Sequence, residues 1–459
     1  MYKNFEHRFN LQNHFSLFFG LLKEPAIVYG ISNKIWIFVS SLVTAPLIII
    51  FFSAELQGYY YAFTSLLGIQ ALFVMGTGQL IQQFVSYEWA GIKYDKNSGF
   101  SGDKYAIERL ASLKHFSIKW FSFVSFILFI GLSTGGYLFL NNSNSGSTIP
   151  VYQWIYPWLL ICLLKSIQIL ISPGLTYLEG INEVERVNRF RFVQSLNERI
   201  AAWIVIIIGG KLWLFSAGTG VNIFSQIRFF RKKYFEMLRD LLKLKTDKKF
   251  PWKKEILPLQ WRYALSTLSG YINFSLIVPF VFWYLGPVEA GKTGITWAVI
   301  TMLWGLSVTI ISTKLPALAI LASRGEFNRV NKTFLISTIN SLILLSASIL
   351  LFYSGLIFLG NILPSVSIRF LNPFTSLIFS LVIIPHHFRF AMINYMRALK
   401  KEPFWFISIL ESVVILISMP LSCSNFGITG VGFTLLILIS LSTFVTYLIF
   451  KKFRYQFYK

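Results

Sequence analysis

Apolar stretches of about twenty residues recur along the chain, separated by short polar segments, and each is long enough to cross a bilayer as a helix. They predict spans near 34–53, 59–86, 116–140, 154–177, 190–209 and 211–230. After a basic stretch, further spans follow near 260–285, 293–320, 333–353, 372–390, 404–422 and 428–450. Ahead of the first span, Phe5, Phe9, Phe15, Phe18, Phe19 and Leu22 fall at roughly helical spacing among polar residues. Residues 1–32 therefore predict either an amphipathic helix on the membrane surface or a disordered head. The segment 228–262 carries twelve Lys or Arg against four acids and divides the spans into two groups of six. The predicted architecture is all-α and integral to the membrane. It has a head (1–32), an N-lobe (33–230), a basic linker (231–258) and a C-lobe (259–459).

Composition agrees with the pattern. Only 13% of the 459 residues are charged, 55% are hydrophobic and the net charge is +23, whereas soluble chains carry about 25% charged residues. In a soluble protein that net charge points to nucleic acid. Here it sits in short loops, where topology and anionic head groups account for it and nucleic acid is not needed. With the N-terminus inside, 37 of the 42 Lys and Arg lie in inner segments, and only Lys211, Lys292 and Arg369 lie outside. Lys165 and Lys314 fall within spans. This asymmetry predicts that both termini are cytoplasmic. Cys162 and Cys423, far apart and in apolar runs, suggest neither a disulfide framework nor a metal site. The first apolar run begins behind a long polar head, so no cleavable signal peptide is predicted. The outer loop holds one Asn141-Asn142-Ser143 sequon, a weak signal.

The two halves read as copies. APLIIIFFSAELQG (45–58) matches VPFVFWYLGPVEAG (278–291) with Pro46 on Pro279 and Gly58 on Gly291. Each proline removes a backbone hydrogen bond late in the first span of its lobe, which makes Pro46 and Pro279 hinge candidates. An even number of spans in each copy implies a pseudo-twofold along the membrane normal.

The strings LQGYYYAFTSLLGIQ (56–70), YLEGINEV (177–184), LQWRYALSTLSGYINF (259–274), GPVEAGKTGITWA (286–298), RALKKEPF (397–404) and FGITGVGF (426–433) carry a resemblance over about residues 25 to 450. The chain resembles polysaccharide-biosynthesis flippases, the O-antigen-transporter-like branch of the multidrug/oligosaccharidyl-lipid/polysaccharide (MOP) exporter superfamily. The resemblance implies a V-shaped pair of six-helix lobes in a bacterial inner membrane. It also implies outward flipping of an undecaprenyl-diphosphate-linked oligosaccharide, alongside the polymerase and glycosyltransferase machinery that makes surface polysaccharide. Gly76-Thr77-Gly78-Gln79 and Gln82-Gln83 depart from the usual second span by being polar and glycine-broken.

Flipping breaks no covalent bond, so the relevant signal is a polar cleft. Lys165 lies mid-span with Gln168 and Ser172 on the same face. An ammonium at that depth costs roughly 2.5–3.5 kcal/mol on insertion scales, which suits either a diphosphate in the cleft or a structural pair with Glu198. In the C-lobe, three polar stripes are expected to converge on a lumen. They are Arg262, Ser266, Ser269 and Asn273; Thr293, Thr296, Ser307 and Lys314; and Ser376, Ser380, His387 and Asn394. For Arg262 and Lys314 the alternative is a snorkelling anchor, and for His387, beside His386, an interfacial residue. Glu198, beside Arg199, and Glu411 are candidates for coupling to H+ or Na+, with helix-packing hydrogen bonds as the alternative. No enzyme signal and no other cofactor stand out. The rival functions are a drug or cation antiporter in the same fold and a non-transporting scaffold of a glycan-assembly complex.

Overall fold

In the computed structural model the described residues are 25–141, 148–244, 265, 268–399 and 403–456. The head before residue 25, most of the sequon, the linker after residue 244, and Arg262 and Ser266 lie outside them. The first four helices are α1 (Pro25–Phe51), α2 (Ala54–Leu67), α3 (Gln70–Trp89) and α4 (Lys104–Ile130). A π turn at Gly131–Gly135 then leads into α5 (Gly136–Asn141). Next come α6 (Tyr152–Ile171), α7 (Pro173–Gly180), α8 (Val184–Ile207), α9 (Leu214–Phe229) and, through a second π turn, α10 (Phe235–Lys243). In the other half lie α11 (Leu268–Ser275), α12 (Ile277–Leu285), α13 (Pro287–Ser312), α14 (Leu315–Ser323), α15 (Phe327–Ile362), α16 (Pro373–Ala398) and α17 (Trp405–Gln456). Among the described residues, seven helical stretches are long and apolar enough to span a membrane, with an eighth if the pair α11 and α12, bent by 43°, counts as one span.

Several predicted boundaries have visible causes. Gly427, at φ 62°, breaks α17 where two spans are expected to meet, because only glycine enters that backbone region freely. Asn372 caps α16 by accepting from the Thr375 N–H at 2.8 Å. The bend between α11 and α12 lies at Ser275–Leu276 and not at Pro279, which is the third residue of α12. There the Leu276 N–H reaches the Tyr271 carbonyl, five residues back, at 3.3 Å. Near the start of a helix, proline gives up an N–H that has no intrahelical partner, so Pro279 costs no bond and is not the cause of this bend. Pro46 lies within an unbroken α1.

By its internal contacts the chain forms two compact units. One comprises 1–47, 77–127 and 163–256, and the other 48–76, 128–162 and 257–459. The first boundary falls just after Pro46, and the second within the glycine-broken stretch at Gly76-Thr77. In the first unit, an antiparallel hairpin (β1, Ile92–Asp95; β2, Gly99–Gly102) joins α3 to α4.

In the second unit the internal repeat becomes physical. α2 crosses α13 so closely that a Cβ on Gly58 would stand 1.9 Å from the Pro287 carbonyl oxygen, and one on Gly291 would stand 3.0 Å from the Ala54 carbonyl oxygen. Ala54 and Pro287 are themselves equivalent in the repeat, as are Tyr61 and Gly294, which also meet. Each copy therefore presents the same patch to the other, as a twofold requires, and small residues allow the approach. Gln57 Nε2 donates to the Gly291 carbonyl at 2.9 Å and the Arg369 carbonyl at 3.2 Å, while Arg369 Nη2 donates to the Phe52 carbonyl at 2.8 Å. An apolar core of Ile277, Phe379, Val382, Ile415, Met419, Val431 and Leu435 fills the same unit.

Candidate functional site

The first unit holds a polar centre built by four helices. Lys165, half-buried on α6, donates from Nζ to Gln168 Oε1 at 3.0 Å, as two residues on one helix face can. Glu198 and Arg199 on α8 are near enough to act on Lys165 electrostatically. Glu198 Oε2, however, accepts from Asn222 Nδ2 on α9 at 2.9 Å. Asn222 Oδ1 in turn accepts from Gln194 Nε2, whose amide also reaches the Asn222 carbonyl at 3.1 Å. Gly218 makes this packing fit, since a Cβ there would come within 3.2 Å of the Glu198 Cγ and carbonyl oxygen. Gln226 Nε2 ties α9 to the Ile171 carbonyl at 3.1 Å. On the α1 side, Ser195 Oγ donates to Asn33 Oδ1 at 2.6 Å and Trp203 Nε1 to Thr44 Oγ1 at 2.9 Å.

The balance of charge follows directly. Among the described residues neither Lys165 nor Arg199 forms an ion pair, and the one carboxylate near them is engaged by an amide. The expected alternative, a Lys165–Glu198 ion pair, is not formed. Two cations against one carboxylate leave this centre positive.

The same unit contains a feature that the sequence showed only as an anomaly. Gln82, Gln83, Ser86, Tyr87 and Ala90 on α3 line an open cavity of about 810 Å³, within the size range of ligand sites. Polar positions at i, i+1, i+4 and i+5 were the available signal. A second cavity, of about 730 Å³, belongs to the other unit. Its lining includes Glu289, Lys292, Asn361, Ser367 and Asn372, with Lys292 paired to Glu289 at 2.7 Å, so its charges cancel.

Nine of the C-lobe stripe residues do not line a lumen. Ser269, Asn273, Thr293, Thr296, Ser307, Ser376, Ser380, His387 and Asn394 are all buried within the helix packing. Ser412 Oγ on α17 donates to Asn273 Oδ1 at 2.9 Å, Thr296 Oγ1 accepts from the Leu371 N–H at 3.1 Å, and Ser341 Oγ donates to the Ser307 carbonyl at 2.5 Å. Away from water such groups turn to protein partners, and these three bonds join one helix or loop to another, while Thr293, Ser380 and Asn394 bond to carbonyls of their own helices. His387 is fully buried, which corrects the interfacial reading, and His386 packs at a tilt against the Phe274 and Trp304 rings. Lys314 is exposed at the joint between α13 and α14. Arg262 lies outside the described residues.

Glu411 has a partner that sequence reasoning missed. Arg389, counted by sequence among the inner loop cations, is buried in α16. Its Nη1 pairs with Glu411 Oε2 and donates to Ser442 Oγ at 2.9 Å. Ser442 Oγ completes the triad by donating to Glu411 Oε1 at 3.1 Å. Helical periodicity around Pro385 and the position of Glu411 on the next span were the only hints. Among the described residues no group of three His, Cys, Asp or Glu is placed to hold a metal ion.

No family model matches the sequence, and no curated protein sequence matches it either. Solved structures do match, over nearly the whole chain. An inward-facing multidrug-resistance MATE transporter of the MOP superfamily aligns with a TM-score of 0.62 at 12% identity, covering 94% of this chain and 95% of its own. The lipid II flippase MurJ, in an inward closed conformation, aligns with a TM-score of 0.62 at 16% identity, covering 93% and 87%. The MATE multidrug transporter DinF-BH gives 0.59 at 15% identity, covering 95% and 97%. The chain thus shares the predominantly helical fold of these solved transporters.

Proposed function

We propose that this protein is a flippase that carries a lipid-linked oligosaccharide, joined to its lipid through a diphosphate, outward across a bacterial inner membrane for surface polysaccharide assembly. The observation that carries the reading is the positive charge of Lys165, mid-span on α6 and in no ion pair among the described residues, with Arg199 adding to it from the neighbouring α8. A cation is kept at such depth when something repays its desolvation. A diphosphate has about two negative charges, and one charge pair at 4 Å is worth roughly 4 kcal/mol at an effective dielectric near 20, before desolvation is subtracted. A cationic drug would meet charge of its own sign there, which disfavours the antiporter reading even though MATE transporters share the fold.

In this reading no bond is made or broken. Lys165, positioned by Gln168, attracts the diphosphate, and Arg199 adds its field from the neighbouring helix. Gln82, Gln83 and Tyr87 of α3 offer hydrogen bonds to sugar hydroxyls in the cavity that they line within the same unit.

The test is transport by charge variants. Lys165→Gln is expected to insert and accumulate normally while losing most of the flipping of lipid-linked substrate into the outer leaflet of proteoliposomes. Lys165→Arg is expected to keep a good part of it. Normal transport by the glutamine variant would remove the basis for the reading.

A further inference from the structure

Just past the sixth expected span, the chain forms a short helix whose charges are sorted by face. α10 leaves α9 through the π turn Phe230–Tyr234. One side of it is spoken for: Tyr234 and Leu241 are buried, and Tyr234, Met237 and Leu238 pack with Leu175, Leu178 and Val187. Its end is pinned as well. Lys114 of α4, itself buried, donates from Nζ to the carbonyls of Leu241, Leu242 and Leu244 at 2.9, 3.0 and 2.8 Å, satisfying acceptors that a helix C-terminus leaves open. The acids of α10 turn to the hairpin, where Asp240 accepts from the Tyr94 hydroxyl at 3.1 Å and Glu236 faces Lys96 at 3.6 Å.

What remains open is apolar and basic. Phe235 and Leu242, two turns apart on one face, are 54% and 59% exposed. Arg231, Lys232, Arg239 and Lys243 surround them, all exposed. Arg239 touches Asp240 at 3.4 Å and lies 6.0 Å over the Phe235 ring. Large apolar side chains held rigidly among cations are costly in water and favourable at a bilayer interface, where rings and aliphatic chains enter the acyl boundary and cations meet phosphates. The bilayer is also the nearest partner, because only one π turn separates this face from α9, which corresponds to the sixth expected span.

We propose that the open face of α10 docks on anionic lipid head groups and seats the start of the interlobe linker on the membrane surface. The proposal concerns a surface, and it stands whatever the protein transports.

The experiment uses the full chain with Cys162→Ala and Cys423→Ala, and a nitroxide attached at Leu242→Cys. The protein is reconstituted in vesicles of phosphatidylcholine alone or of phosphatidylcholine with phosphatidylglycerol. Collision of the label with a water-soluble nickel chelate, against collision with oxygen, reads its depth. The expected result is a several-fold loss of nickel collisions in the anionic vesicles relative to the neutral ones. Arg231→Gln and Arg239→Gln should each weaken docking, roughly fivefold per cation removed. Equal water exposure in both vesicles would overturn the proposal, and so would equal burial in both, since head-group charge would then play no part. Spin–spin broadening would overturn it too, by showing that a second copy covers the face.

Discussion

Two polar centres lie within helices of this protein, and they are built on opposite principles. Around Glu411 every charge is answered: Arg389 pairs with the carboxylate and Ser442 bonds to both. Around Lys165 the carboxylate of Glu198 is held by Asn222, and the cations Lys165 and Arg199 have no acid in ion-pair contact among the described residues. A closed set of partners needs nothing from a ligand and has little to give one. An open set keeps a field that a ligand of opposite charge can use. Under the proposed function, the difference separates a residue that holds helices together from one that is free to serve transport, although both are ionisable groups in apolar runs.

The comparison is most strongly challenged by breaking the closed set. Glu411→Ala leaves Arg389 buried and uncompensated and is expected to cost about 3–5 kcal/mol, read as a large drop in the thermal unfolding temperature of detergent-purified protein. Arg389→Met combined with Glu411→Leu removes both charges and should recover most of that stability and keep transport. Loss of transport in a stable double variant would show that the triad does more than pack.

A packing change without any charge change calibrates the same assay. Gly58→Ala forces a Cβ onto the Pro287 carbonyl and should destabilise by about 1–3 kcal/mol. Gly291→Ala, with its nearest atoms at 3.0 Å, should cost less.

The open set is sharpened by altering which groups are engaged. Asn222→Leu releases Glu198 to pair with Lys165, so flipping should fall several-fold in proteoliposomes at unchanged expression. Glu198→Gln, which removes the acid that acts on Lys165, should leave flipping intact or raise it. Equal losses in both variants would mean that the centre serves packing alone. The smallest effect on transport is expected of Ser442→Ala, which removes two hydrogen bonds from the triad at about 1 kcal/mol each, leaves the Arg389–Glu411 pair in place and should leave transport unchanged.

Much of the fold was legible because the bilayer imposes a single length scale on apolar runs. The Gly427 break and the repeat that brings Gly58 to Gly291 fall where the sequence pattern places them. The site was legible only in part. Lys165, Gln168 and Glu198 stand out as costly residues in apolar runs, and the structure gathers them in one centre. The C-lobe stripes misled, because periodicity gives the face of a helix but not whether that face meets a cleft or another helix. Arg389 was missed for a related reason: near a span end, a cation that snorkels and one that turns inward to a carboxylate read alike.

By itself the sequence determined the class of protein, the positions of most membrane helices, the internal repeat and the depth of the mid-span charges. Each of these follows from local composition measured against a solvent of known thickness. Only the tertiary structure decided which polar groups satisfy one another. It placed Asn222 on Glu198 and Arg389 on Glu411, and turned the C-lobe stripes into helix contacts. It also left a basic, apolar face of α10 uncovered. Such pairing depends on side chains brought together from helices far apart in the chain, at distances of about 3 Å that spacing along a single helix does not encode.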